Sequence, residues 1–182
     1  MSNLPSLIND SYRRILVTGG AGFIGGAVVR RLLRSTTAKI FNLDKCSYAS
    51  DLTSIEQVLL DLGSRTEDRY QLFCVDLNDA EATMASVRDA EPDLVLHLAA
   101  ESHVDRSIDT PSAFLKSNVN GTFNLLQAVR SHWDKLPTER KEVFRFHHIS
   151  TDEVFGSLGP KGQFSEHTPY DPRSPYSASK AA

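Results

Sequence analysis

Cysteine is nearly absent from these 182 residues: there are two, Cys46 and Cys74, with no paired spacing. That number is too small for a disulfide scaffold or a zinc cluster, so both are expected as free thiols in a reducing compartment, the cytoplasm. A basic surplus is lacking too. Twenty Lys and Arg stand against 23 Asp and Glu, a net charge of −3, which argues against a nonspecific nucleic-acid binder. No apolar run approaches the ~20 residues of a membrane span, so no membrane partner is expected. The first ten residues lack a basic region followed by an apolar stretch, and no signal peptide is read there. There is one tryptophan, and glycine and proline (ten and eight) are too few for a fibrous or low-complexity chain. What remains is a globular composition, 40% hydrophobic and 24% charged, at a length suited to one domain.

Residues 1–12 are polar and aperiodic and read as a flexible tail. From residue 13 to 182, short apolar runs alternate with helical patterns. Strands are expected over 13–18, 39–43, 70–75, 94–98 and 143–150. Helices are expected over 23–35, 51–62, 78–90 and 111–133, the third opened by an Asn-Asp-Ala-Glu capping pattern. Strands apolar on both faces, separated by helices, specify a parallel sheet covered on each side. Right-handed crossovers make it a doubly wound, Rossmann-type α/β fold. Residues 156–173, rich in Gly, Pro and polar side chains, read as a surface loop. Ser174-Pro175 then opens a last helix, with Ser as cap and Pro at its first position. Eight residues from Pro175 to the end make about two turns, marginal without packing.

Thr18-Gly19-Gly20-Ala21-Gly22-Phe23-Ile24-Gly25 falls where the first strand meets the first helix. It fits G-x-G-x-x-G through Gly20, Gly22 and Gly25, and G-x-x-G-x-x-G through Gly19, Gly22 and Gly25. A diphosphate must approach bare backbone N–H groups at a helix N-terminus, and the turn must be tight; glycine answers both needs. Alone, such a run also fits a plain Gly-rich turn. Asp44, at the end of the second strand and 19 residues beyond Gly25, adds the ribose ligand of a dinucleotide site: a carboxylate there can accept both ribose hydroxyls and repels a 2′-phosphate. NAD is therefore expected over NADP, with Lys45 as the complicating cation. Asp76, Leu77, Leu98, Ala99 and Ala100 fall at the ends of later strands, where open α/β sheets bind ligands.

Tyr176 and Lys180, spaced i, i+4, share one helical face. A free tyrosine titrates near ~10, and a nearby ammonium favours the phenolate and lowers that value. Thr151-Asp152-Glu153 follows the fifth strand; the hydroxyl could share a substrate oxygen with Tyr176, and the two acids suit an elimination if one is protonated and the other ionised. Taken alone, the run also reads as a helix cap or wet turn. The six histidines, including His97 in a strand and the adjacent His147 and His148, lack the pairing of a zinc hydrolase, and no metal is expected.

Together these residues resemble the extended short-chain dehydrogenase/reductases. Asn118-Val119-Asn120-Gly121-Thr122 belongs to that broader resemblance, while Asp44-Lys45 and the longer strings from His97 to Ser107, Phe144 to Val154 and Ser174 to Lys180 are similar to the dTDP-glucose 4,6-dehydratase family. The resemblance implies that Phe23, Ile24, Asp44, Lys45, Cys46, Ser47, Asp76, Leu77, residues 98–102 and Ser117 line an NAD site. It implies that Tyr176 takes the proton of the sugar 4-hydroxyl, with Lys180 beside it, that Glu153 removes the C5 proton and that Asp152 protonates the departing 6-hydroxyl. Ser102 and Thr151 would touch the substrate, a nucleotide sugar such as dTDP-glucose. Departures are Phe155 for a usual Tyr, Ser117 for Thr and Gly26 for Ser. Members continue well past the Lys and form homodimers, so the chain is expected to carry the amino-terminal, cofactor-binding portion, its own activity and dimerisation in question. A nucleotide-sugar epimerase and a non-catalytic NAD-binding module are the rival readings.

Overall fold

The computed structural model describes residues 12–47, 50–66 and 68–182. The tail expected over 1–12 therefore lies outside the described residues, apart from Tyr12. Five parallel strands, β1 (Arg14–Thr18), β2 (Lys39–Asp44), β3 (Tyr70–Cys74), β4 (Leu94–His97) and β5 (Arg145–His148), form one sheet in the order β3-β2-β1-β4-β5. That order reverses between β1 and β4, and the crevice outside the strand ends there is where doubly wound sheets hold ligands.

Alternation within β1 divides the core. Ile15 and Val17 pack with Val29, Leu32 and Leu33 of α1 (Phe23–Ser35) and with Ile55 and Val58 of α2 (Thr53–Leu62). Leu16 faces the other way and joins Phe41, Leu43 and Val95 beneath Val87 of α3 (Ala80–Ala90) and Leu125 and Val129 of the helix after β4. All of these side chains are fully or nearly fully buried. Both faces of the sheet are covered, as the unbroken apolar strands require.

Differences from the sequence expectations are local. Asp79, not Asn78, caps α3, its carboxylate accepting from the Ala82 N–H; the first residue able to close a turn onto N3 takes the role. The helix α4 (Val104–Asp109) was not expected. The long helix expected over 111–133 is three pieces: α5 (Pro111–Phe114), a π-helical segment at Leu115–Asn120, and α6 (Gly121–Trp133). Another short helix, α7 (Thr138–Val143), precedes β5. After a 3₁₀ turn (Asp152–Phe155), the capping box that Ser174 forms with Ser177 opens α8 (Pro175–Ala181), which is packed: Ser177 and Ser179 are buried. No helix among the described residues is long and apolar enough to cross a membrane.

Candidate cofactor and catalytic site

The turn from β1 into α1 is shaped by close backbone approach. Gly19 has φ +70°, and a Cβ there would lie 2.7 Å from the Ala99 Cα. A Cβ on Gly25 would sit 2.1 Å from the Gly19 carbonyl oxygen. Gly20 instead abuts the Asn42 side chain, so it serves packing against β2 while Gly19, Gly22 and Gly25 face the crevice. Gly22 caps α1 with no side chain bonded to the first turn, and no acid lies in that turn. The N–H groups and the positive end of the helix are thus offered to an anion, and a glycine cradle of this form fits a diphosphate.

The crevice holds about 530 Å³ and brings together most of the expected positions: Phe23, Ile24, Asp44, Lys45, Ser47, Asp76, Leu77, Leu98, Ala99, Ala100, Ser102, Ser117, Tyr176 and Lys180. Cys46, Thr151, Asp152 and Glu153 are not among its lining. The exposed Phe23 ring and the Ile24 side chain stand at its rim.

Asp44 is buried, and its carboxylate is already engaged. One oxygen accepts from the Ala21 N–H (3.1 Å); the other accepts from the Cys46 N–H (2.9 Å) and Ser50 Oγ (2.8 Å). A carboxylate offers about four lone-pair positions. One ribose hydroxyl can be accepted as the structure stands, and the pair expected from sequence requires Ser50 to turn away. Lys45 extends across the crevice, its Nζ donating to Glu101 Oε1 at 2.5 Å.

The expectation of free thiols fails. Cys46 and Cys74 form a disulfide, their Cα atoms 5.6 Å apart. The parallel register sets Asp44 opposite Cys74, and the chain then turns at Cys46 (φ +52°), bringing it back beside its partner strand. Pairing of this kind comes from strand register, which sequence spacing does not display. Cys46 accordingly contributes its backbone N–H to Asp44 and keeps its sulfur out of the crevice.

At the other end of the crevice, α8 carries Tyr176 and Lys180. Lys180 Nζ donates to the Ile149 carbonyl at 2.7 Å, just beyond β5, and its burial lowers its pKa. Tyr176 stacks edge-on against Phe114, ring centroids 6.4 Å apart, with the Thr151 hydroxyl beside its phenol. Burial raises its phenol above the ordinary value; the Thr151 hydroxyl opposes this, and the charges of Glu153 and Asp152 add to it. The lowering expected from Lys180 is therefore reversed, chiefly by burial, with the two carboxylates adding to it. Thr151 also caps the 3₁₀ turn, accepting from the Glu153 N–H at 3.3 Å, so the run is a local cap as well as a neighbour of Tyr176. Glu153 is half-buried and Asp152 exposed.

The crevice also includes Ser50, His103, Arg106, Ile149 and Ser150, which sequence reasoning missed. His103 and Arg106, three apart at the start of α4, are neighbours on a helix too short to declare a period. Ser50 follows Asp44 by six residues in an irregular loop with no motif. His97, expected within a strand, is buried with Nδ1 2.6 Å from Thr18 Oγ1 and Nε2 2.9 Å from Thr122 Oγ1.

Comparison with known proteins adds a family. A profile described as GDP-mannose 4,6 dehydratase matches residues 16–182. A dTDP-glucose 4,6-dehydratase from Neisseria meningitidis serogroup B is 51% identical over 171 residues, 93% of this chain and 46% of that protein. The solved dTDP-glucose 4,6-dehydratase of Streptomyces venezuelae, with NAD and TYD bound, superposes with TM-score 0.75 at 39% identity, over 92% of this chain and 48% of that one. The UDP-Glc/GlcNAc 4-epimerase of Campylobacter jejuni gives TM-score 0.75 at 27% identity, over 92% and 46%. The chain spans about half the length of the relatives it matches.

Proposed function

The chain belongs to the GDP-mannose 4,6 dehydratase family, and from that membership we propose that it supplies the NAD-binding and catalytic residues of a dTDP-glucose 4,6-dehydratase. The observation that carries the reading is that one crevice joins the Gly19–Gly25 cradle and Asp44 to Tyr176 and Lys180, with the Thr151-Asp152-Glu153 run near enough to Tyr176 to act on its phenol. Glycines that admit a diphosphate and a carboxylate set to accept a ribose hydroxyl fit NAD. When bound, NAD⁺ supplies a reversible hydride acceptor for the sugar carbon C4.

The protein's own residues then manage protons. Tyr176, with Thr151 beside it, takes the proton of the sugar 4-hydroxyl as that carbon is oxidised. The resulting 4-keto group acidifies the C5 proton, which Glu153 removes while Asp152 gives a proton to the departing 6-hydroxyl; the hydride taken from C4 would then return to C6 and a proton to C5, so that the net change is the loss of one water. Lys180, anchored on Ile149, stands at the same end of the crevice.

Epimerases share the fold, and the acidic pair is what favours elimination. Product analysis after incubation with NAD⁺ and dTDP-glucose decides between them. A 4-keto-6-deoxy sugar nucleotide, lighter by one water, is expected; an isomer of unchanged mass overturns the dehydratase reading. Tyr176→Phe should slow product formation by ~10²–10⁴-fold, the usual range for a lost acid–base group. Calorimetric titration with NAD⁺ beside that assay separates an enzyme from a binding module, which would take up NAD⁺ and form no product.

A further inference from the structure

Lys45 is the feature of the crevice that argues against NAD, since a cation next to the ribose ligand Asp44 would welcome a 2′-phosphate. The structure shows where its charge goes. Lys45 Nζ meets Glu101 Oε1 at 2.5 Å across the crevice, between the end of β2 and the segment after β4. Glu101 is held in place for this: its backbone N–H donates to Asn118 Oδ1 at 2.8 Å, and its carbonyl accepts from Asn118 Nδ2 at 2.9 Å. Asn118 is buried in the π-helical segment. The backbone of Glu101 is therefore fixed by a buried amide, and its carboxylate meets the lysine that reaches across.

We infer that Glu101 is a specificity-determining residue that favours NAD over NADP by neutralising Lys45. This rests on the dinucleotide reading above. Asp44, Lys45 and Glu101 together leave one net negative charge at the ribose edge, and a 2′-phosphate would bring ~1.5–2 more. Without Glu101, Asp44 and Lys45 cancel and the lysine is at liberty to turn toward a phosphate. Arg106 lines the same crevice; it is common to every variant below and drops out of the comparison.

The test is calorimetric titration of the 182-residue chain, of Glu101→Gln, of Lys45→Gln and of the double variant, each with NAD⁺ and with NADP⁺. The readout is the ratio of the two affinities, which a merely structural loss would not move because it weakens both. Glu101→Gln should raise the NADP⁺-to-NAD⁺ affinity ratio about tenfold, a differential near 1.4 kcal/mol. Adding Glu101→Gln to Lys45→Gln should raise it less than about twofold. An unchanged ratio in Glu101→Gln, or an equal rise with and without Lys45, overturns the inference while the NAD site stands. Failure of the unaltered chain to bind either nucleotide overturns the dinucleotide reading, and this inference falls with it.

Discussion

Asn118 Nδ2 donates to Ser179 Oγ at 2.9 Å, which couples the π-helical segment to the helix bearing Tyr176 and Lys180. The same amide bonds both backbone groups of Glu101. One buried side chain thus sets the spacing between the cofactor loop and α8, and Ser179 completes the link by donating to the Tyr176 carbonyl at 2.7 Å. A π-helical insertion is a costly way to turn one residue inward and is often found at functional sites. Asn118→Ala leaves buried partners unsatisfied and should destabilise by about 2 kcal/mol. At this chain length that is ~4–8 °C in melting temperature, read by circular dichroism. Asn118→Asp, which keeps the acceptor for the Glu101 N–H, should lose less.

Two adjacent glycines in α1 make opposite predictions. A Cβ on Gly25 meets the Gly19 carbonyl oxygen at 2.1 Å, so Gly25→Ala must displace the turn that forms the diphosphate cradle. NAD⁺ affinity in calorimetric titration should fall by at least about tenfold, with a lower melting temperature. A Cβ on Gly26 finds its nearest neighbours at 3.4 and 3.5 Å, ordinary contact. Gly26→Ala should therefore raise stability by about 0.5–1 kcal/mol through helix propensity and leave NAD⁺ affinity unchanged.

Which parts were legible in the sequence follows from where their causes lie. Ile15, Leu16 and Val17 are consecutive and apolar, which only a strand buried on both faces explains, so strand identity and sheet class were readable. Gly19 to Gly25 and Asp44 carry a fixed spacing because a helix N-terminus and a strand end are local geometries. Val104–Asp109 and Thr138–Val143 are short and largely polar, with too little periodicity to register as helices. The π-helical segment was invisible because its cause is tertiary, the inward turn of Asn118 toward Glu101 and Ser179. The Cys46–Cys74 bridge depends on strand register, and the sign of the Tyr176 shift on its burial, which only the packed fold sets.

His97 makes stability depend on acidity. Burial, reinforced by the neighbouring charges of His148 and Lys180, pushes its pKa down to about 3. The neutral ring suits the bonds to Thr18 and Thr122, one nitrogen donating and the other accepting. An unfolded chain binds this proton near pH 6.5, so the contribution to stability is complete above pH 6.5 and is lost as pH falls toward 3. Between pH 7.5 and 5 the loss should be about 2 kcal/mol from this one residue, measured by urea unfolding. His132 and His148 are shifted in the same direction and add to the slope. In His97→Gln the difference between the two pH values should shrink by that amount.

Tyr176 poses the last question, how a phenol raised by burial serves as a base. Thr151 is the group that opposes the rise, while Glu153 and Asp152 strengthen it. Thr151→Val should therefore push the phenol higher still, and Glu153→Gln should bring it down. Both shifts are readable as the ultraviolet difference spectrum of tyrosinate formation, with Tyr176→Phe as the blank that removes the other tyrosines. A hydrogen bond to an ionised group is worth ~1.5–3 kcal/mol, so Thr151→Val should also slow formation of the 4-keto product by about 10–100-fold. The loss should be greatest at low pH and narrow as pH rises, because a higher phenol pKa is overcome by lower proton concentration. A loss independent of pH would mean that Thr151 acts on the sugar alone and leaves the phenol untouched.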